Sequence, residues 1–305
     1  MKNVTVIGFG CVGSSLSLLL LNNKHSIRLN VMEPNPECEG AFLDLAHGIP
    51  LFSEKELHVN DEELFRNADF IYYTAGIPNA KGGSRLSTAE QNIQLTKEIF
   101  EQRVFVNTPY IIVITNPVDI ISHSVYQYSG LPQDHVIGTG TFLDSIRLAY
   151  YLSRISDLEA SDFDTTVLGE HGDSLVPIYS KCKIKGQPLL DCDQFSMKDL
   201  EKARICTMNA ALQIRETQVG TTYGVSKCAE VLLDYLLESK EHSITLSMRT
   251  DTHYRSILSL DHDIYISMPV NIKNGIITVN DEIDLLEVEL NAYRESARIL
   301  AGIVS

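Results

Sequence analysis

Residues 4–20, VTVIGFGCVGSSLSLLL, narrow the folds open to this chain more than any other stretch. An apolar run rich in β-branched residues stops at Gly8, and a helix-period apolar run begins a few residues later. The turn between them carries three glycines in the spacing GxGxxG, at Gly8, Gly10 and Gly13. The first permits a tight strand-to-helix turn, the second lets the backbone approach a pyrophosphate, and the third allows close helix–strand packing. The free N–H groups and partial positive charge at the start of such a helix suit a phosphate.

A lone GxGxxG is weak evidence, because any tight turn can use the same glycines. The next strand-like run, IRLNVMEPN, adds weight by ending in Glu33, 20 residues beyond Gly13. An acid at that point accepts hydrogen bonds from both ribose hydroxyls of a dinucleotide and repels a 2′-phosphate. The expected cofactor is therefore NAD rather than NADP. No GxxxxGK[ST] occurs, which removes a nucleotide triphosphatase reading of the same glycines.

Around this unit the first half alternates short apolar runs with helix-period stretches. Strands are expected at 4–7, 27–32, 70–74 and 110–114, with weaker candidates at 57–59 and 136–138. Helices are expected at 12–22, 39–47, 87–104 and 118–128. Such alternation implies an α/β fold with a Rossmann-type doubly wound parallel sheet covered on both faces. The second half reads as an α+β substrate domain. It offers a strand at 165–169, a hairpin near KGQP, and helices around 196–215 and 223–238. Strands follow at 244–248, 264–272 and 276–279, the last two joined by Asn274-Gly275, and a helix closes the chain over about 281–303. The expected domains are 1–142 for the cofactor and 143–305 for the substrate.

A formal net charge of -15 gives a surface that repels phosphate backbones and anionic lipid, so neither nucleic acid nor a membrane is an expected partner. The longest apolar runs, LSLLLL and YIIVI, are too short to cross a bilayer, and the first residues begin a strand at once, so the expected location is cytoplasmic. The six cysteines contain no CxxC pair and are expected to be reduced, mostly buried thiols, with no metal site.

Four further stretches bear polar groups at points where parallel strands end, which is where open α/β sheets bind ligands. YYTAGIPNAKGGSRLS leaves a strand at Thr74, Ala75 and Gly76 and runs through a glycine-bearing loop to Arg85. IVITNPVD leaves another strand with Asn116. GTGTFLDSIRLAYYL opens a helix whose Asp144 and Arg147 share one face at i,i+3 spacing. GEHGDSLVP puts His171 between an acid and a glycine. Each also has a plain interpretation: a solvated loop arginine, a turn asparagine before proline, an intrahelical ion pair, a histidine in a polar turn.

Taken together and in this order, TAG, TNPVD, GTGTFLDSIR and GEHGDS after GxGxxG resemble the lactate/malate dehydrogenase family over essentially the whole chain. GEHGDS and GTGTFLDSIR look closer to its lactate-using members. The resemblance implies that His171 hands a proton to the carbonyl oxygen of a 2-oxoacid and takes it back in the reverse direction. It implies that Asp144 orients the imidazole and that Arg147 grips the substrate carboxylate through both oxygens. Arg85 would polarise the carbonyl, Asn116 would bond substrate or cofactor, Thr221 (or Thr222) would line the pocket, and Thr74 to Gly76 would border the cofactor. A homodimer or homotetramer is implied as well.

The resemblance breaks at Asn79, the position that selects the substrate side chain. Lactate-using relatives generally have glutamine there and malate-using ones arginine. A second carboxylate buried without a cation would cost several kcal/mol, roughly. Asn79 therefore points to L-lactate/pyruvate or a close analogue, with room for a larger side chain. Lys81 on the same loop could supply a substitute charge, which keeps malate/oxaloacetate as the alternative.

Overall fold

In this computed structural model the described residues are 1–77 and 85–304. Asn79 and Lys81, and the side chain of Arg85, lie outside what is described. The chain forms two compact units, Met1–Gly138 with Thr222–Glu238, and Thr139–Thr221 with Ser239–Ser305.

Unit 1 begins β1 (Lys2–Ile7), α1 (Cys11–Leu21), β2 (Ile27–Met32), α2 (Glu39–Gly48), β3 (Lys55–Val59), α3 (Glu62–Arg66) and β4 (Phe70–Tyr73). It continues with α4 (Arg85–Phe100), β5 (Tyr110–Val113), α5 (Val118–Ser129) and β6 (Val136–Gly138). These six strands are parallel and run in the order β3-β2-β1-β4-β5-β6. β4 is buried at every residue and β5 at all but Tyr110, as continuous apolar strands covered on both faces should be. α1 buries Gly13, Leu16, Ser17, Leu20 and Leu21, the i, i+3, i+4, i+7, i+8 stripe of a helix lying on a sheet. The strand order reverses between β1 and β4, so the turn after β1 opens at a topological switch point.

Unit 2 starts with α6 (Phe142–Ser153), then the short strands β7 (Phe163–Asp164), β8 (Val167–Leu168), β9 (Val176–Pro177), β10 (Lys183–Ile184) and β11 (Gln187–Pro188), then α7 (Met197–Arg215). After α8 (Tyr223–Leu237), which belongs to unit 1, come β12 (His242–Arg249), α9 (Thr252–Leu258), β13 (Tyr265–Lys273), β14 (Ile276–Val279) and α10 (Glu287–Val304). β12, β13 and β14 pair antiparallel. Two hairpins have two-residue turns with both φ positive, at Lys185-Gly186 (49°, 84°) and Asn274-Gly275 (52°, 77°), the backbone such tight turns require. Leu148, Leu152, Val167, Leu175, Cys182 and Leu200 centre a core in this unit.

The expected division at 142/143 differs from these units in two respects. Residues 139–142 group with unit 2, where Thr141 N–H donates to Ser267 Oγ at 3.0 Å and its hydroxyl to Val167 O. α8 groups with unit 1, because Tyr72 on the central strand donates to Ala229 O at 3.1 Å and Asn23 donates to the buried Glu230. α3 and α9 are too short to leave a periodic signal, and no expectation named them. α10 starts at Glu287 rather than near 281. Upstream carbonyls are taken by α9, with Tyr254 OH on Asn280 O at 2.6 Å, and Glu289 caps Leu286 N at 3.1 Å. The cysteines also depart from expectation: all six are free, but only Cys182 and Cys228 are buried, since Cys11 opens α1 and Cys38 and Cys192 sit at surface turns.

Candidate active site

Within unit 1 the ends of β1, β2 and β4 build a cradle around the glycine turn. Gly8 sits at φ +93°, and a Cβ there would lie 2.6 Å from Ala75 N. A Cβ on Gly13 would lie 2.0 Å from Gly8 O, so α1 can pack this close only without a side chain. Gly10 is different: nothing lies within 4 Å of where its Cβ would be. The open space faces the start of α1, where Gly10 is the N-cap, no side chain caps the first turn and no acid occupies it. Uncapped N–H groups beside open room fit the pyrophosphate of a dinucleotide.

Glu33 follows β2 and returns to this turn. Its Oε2 accepts Phe9 N–H at 3.0 Å and its Oε1 accepts Asn35 N–H at 3.0 Å. The carboxylate is thereby held beside the second glycine with lone pairs remaining for ribose hydroxyls. Thr74 locks the turn from β4, donating to Ile7 O at 2.9 Å, with Gly8 O 3.1 Å away. A Cβ on Gly76 would meet Thr115 Cγ2 at 2.6 Å. Asn116 accepts Val118 N–H on its side chain at 3.3 Å.

One residue of this cradle went unnoticed in the sequence. Asn92 on α4 is 1% exposed; its Oδ1 accepts Ile77 N–H at 2.7 Å and its Nδ2 donates to Asn116 O at 2.9 Å. It joins the loop leaving β4 to the loop leaving β5. The signal available was a polar residue on the buried stripe Thr88, Ala89, Asn92, Thr96, Phe100.

Unit 2 brings together His171, Asp144 and Arg147. His171 Nδ1 is 2.6 Å from Asp144 Oδ2, and Arg147 Nη1 donates to Asp144 Oδ1 at 2.9 Å. One buried carboxylate thus serves both partners, one oxygen each. The Asp144 side chain is 2% exposed, against 12% for Arg147 and 24% for His171. Burial pushes the Asp144 carboxyl up, but the charges and hydrogen bonds of His171 and Arg147 together outweigh it and hold it below the usual carboxylate range. An ionised Asp144 accepts from Nδ1–H, which fixes the tautomer and orientation of the imidazole. Among the described residues Arg147 Nε and Nη2 have no partner, so part of the guanidinium fork remains for an anion.

Local structure explains this geometry. Ser145 Oγ accepts Val167 N–H at 3.0 Å and Thr165 donates to Ser145 O at 2.6 Å, which stitches the strand before His171 to the helix bearing Asp144. Ser267 on β13 accepts Thr141 N–H on its hydroxyl and exchanges backbone bonds with Gly169 at 3.2 Å each way. Thr221 lies half-buried in the segment between α7 and α8, and Thr222 is the N-cap of α8. Among the described residues no group of three or more His, Cys, Asp or Glu side chains could hold a metal ion, and no helix is long and apolar enough to cross a membrane.

Comparison with known proteins bears on both units. Residues 2–138 match the lactate/malate dehydrogenase NAD binding domain, and residues 141–304 match the lactate/malate dehydrogenase alpha/beta C-terminal domain. The L-lactate dehydrogenase of Geobacillus sp. (strain WCH70) is 31% identical, over 100% of this chain and 96% of its own. The L-lactate dehydrogenase 1 of Staphylococcus aureus (strain USA300) is also 31% identical, with the same coverage. Among solved structures, a lactate dehydrogenase, MGS-M5, from a Medee basin deep-sea metagenome library superposes with a TM-score of 0.89 at 25% identity, over 100% of this chain and 98% of its own. The malate dehydrogenase of Plasmodium falciparum has the same fold, with a TM-score of 0.89 at 22% identity, over 100% of this chain and 97% of its own.

Proposed function

The chain belongs to the lactate/malate dehydrogenase family, and from that premise we propose that this NAD-dependent L-2-hydroxyacid dehydrogenase works on L-lactate and pyruvate or a close analogue. The observation that carries the catalytic part is the Asp144 carboxylate divided between His171 and Arg147. NAD, when bound, accepts or supplies the hydride. His171 Nε2 gives its proton to the carbonyl oxygen during reduction and takes one from the hydroxyl during oxidation. Asp144 keeps the ring in the tautomer and orientation this needs and stabilises its charged form. Arg147 holds the substrate carboxylate through its remaining N–H groups, so the keto carbon stays oriented. Gly8, Gly10, Gly13 and Glu33 hold the dinucleotide, with Thr74, Ala75, Gly76 and Asn116 around them. Arg85 polarises the substrate carbonyl, and Thr221 lines the pocket.

Substrate choice is assigned to Asn79, which has neither the charge to pair a second carboxylate nor the length of glutamine. The direct test is a panel of pyruvate, 2-oxobutyrate, 2-oxoisocaproate and oxaloacetate with NADH. A monocarboxylic oxoacid should give the highest kcat/KM. Oxaloacetate leading by about tenfold or more, roughly 1.4 kcal/mol of preference, would make the enzyme a malate dehydrogenase with Lys81 doing the work of arginine. A cytoplasmic homodimer or homotetramer completes the proposal, and sedimentation of the purified protein checks the assembly.

A further inference from the structure

Glu170, immediately before His171, would be a solvated acid in an ordinary polar turn. Here it begins and ends a ring of hydrogen bonds. Its backbone N–H donates to Ser296 Oγ on α10 at 2.8 Å. Ser296 Oγ is 3.0 Å from Ser174 Oγ, and Ser174 donates to Glu170 Oε2 at 2.5 Å. The direction of every bond follows from counting hydrogens. A carboxylate has none to give, so Ser174 must donate to it; Ser174 then has only lone pairs for Ser296, which must donate in turn.

The surroundings are built to this ring. Gly169 and Gly172 bracket Glu170 and His171. A Cβ on Gly169 would lie 2.6 Å from Ser296 Oγ, and one on Gly172 would lie 2.6 Å from Glu170 Oε1. Ser296 is 1% exposed and sits on the buried stripe of α10 beside Tyr293, Ala297 and Leu300. A hydroxyl there costs stability unless it is bonded. Asp144 holds the imidazole by its Nδ1 edge; the ring holds the backbone from which the imidazole projects.

We propose that Ser296 is a positioning residue for proton transfer at His171, closing through Ser174 and Glu170 a one-way hydrogen-bond ring that sets the catalytic loop. This rests on the assignment of His171 as the proton-handling group. The test compares S296A, S174A, S174A/S296A and S174T. The readouts are kcat and KM for the best oxoacid, NADH affinity by fluorescence titration, and hydrogen exchange across residues 169–174 in the free protein. Each single alanine variant should lower kcat about tenfold, as small misalignments of a reacting group do, with KM and NADH affinity within about twofold. One opening breaks the ring, so the double variant should be no worse than either single one, and S174T should retain activity. Exchange at 169–174 should quicken in S296A and S174A.

Both single alanine variants keeping kcat within about twofold, or losses that multiply in the double variant, would overturn the proposal. If S296A does not fold, S174A, at a half-buried loop position, carries the test alone. If the native protein reduces no oxoacid, the functional assignment fails separately. Exchange then decides the ring: faster at 169–174 in S296A supports it, and unchanged exchange removes it.

Discussion

His171 Nδ1 and Asp144 Oδ2 lie 2.6 Å apart, and the other oxygen of that carboxylate is already bonded to Arg147. Asp144 therefore sets two orientations at once. D144N should lower kcat about 10²- to 10⁴-fold, the usual range for disabling general acid–base catalysis, while NADH affinity stays unchanged. Stopped-flow reduction and fluorescence titration separate the two.

The same residue makes a pH prediction. The folded Asp144 carboxyl is held below its ordinary value of 3.8. Unfolding in the window beneath that value takes up a proton, so the stability Asp144 contributes is present above it and is lost as pH falls through the folded value. Denaturant melts of the native protein and D144N should differ at neutral pH and converge in acid. A gap that widens on acidification would reverse the sign.

Arg147 should act on binding of the oxoacid. R147K keeps the charge but loses the planar fork, and kcat/KM should fall about tenfold to a hundredfold with NADH affinity intact. Steady-state kinetics with saturating NADH check this.

Two glycines of one motif should respond in opposite ways. In G13A the new Cβ would meet Gly8 O at 2.0 Å, which neither backbone can accommodate. Its cost should be about 3 kcal/mol, seen as a lower Tm. G10A adds a methyl where nothing lies within 4 Å, so Tm should hold while NADH affinity drops. Equal losses of Tm in both would refute the assignment of the space beside Gly10 to pyrophosphate.

Glu33 should govern cofactor choice. The native enzyme should prefer NADH to NADPH by about 10²-fold or more, and E33A should erase most of that by removing the charge that repels a 2′-phosphate. Phe9 N–H loses its acceptor in this variant, so NADH affinity should fall too. The ratio of kcat/KM for the two cofactors is the measurement.

The six parallel strands of unit 1 and its longer helices, both two-residue hairpin turns and the glycine fingerprint were legible in the sequence, because each depends on neighbours within a few residues. The periodicity of Leu16, Leu20 and Leu21, the positive φ at Asn274-Gly275 and the GxGxxG turn are local properties. The identities of His171, Asp144 and Arg147 as a set came from several motifs occurring in order, which a single motif could not supply. The tertiary structure alone decided what distant polar groups do. Asn92 and Ser296 look like stray polar residues on buried helix faces until the fold brings Ile77 and Asn116 to one and Glu170 and Ser174 to the other. The placement of α8 in unit 1 was decided likewise, by Tyr72 from a strand 157 residues away. A buried hydrogen bond has a partner the chain reaches only by folding, so its meaning is absent from any window of sequence.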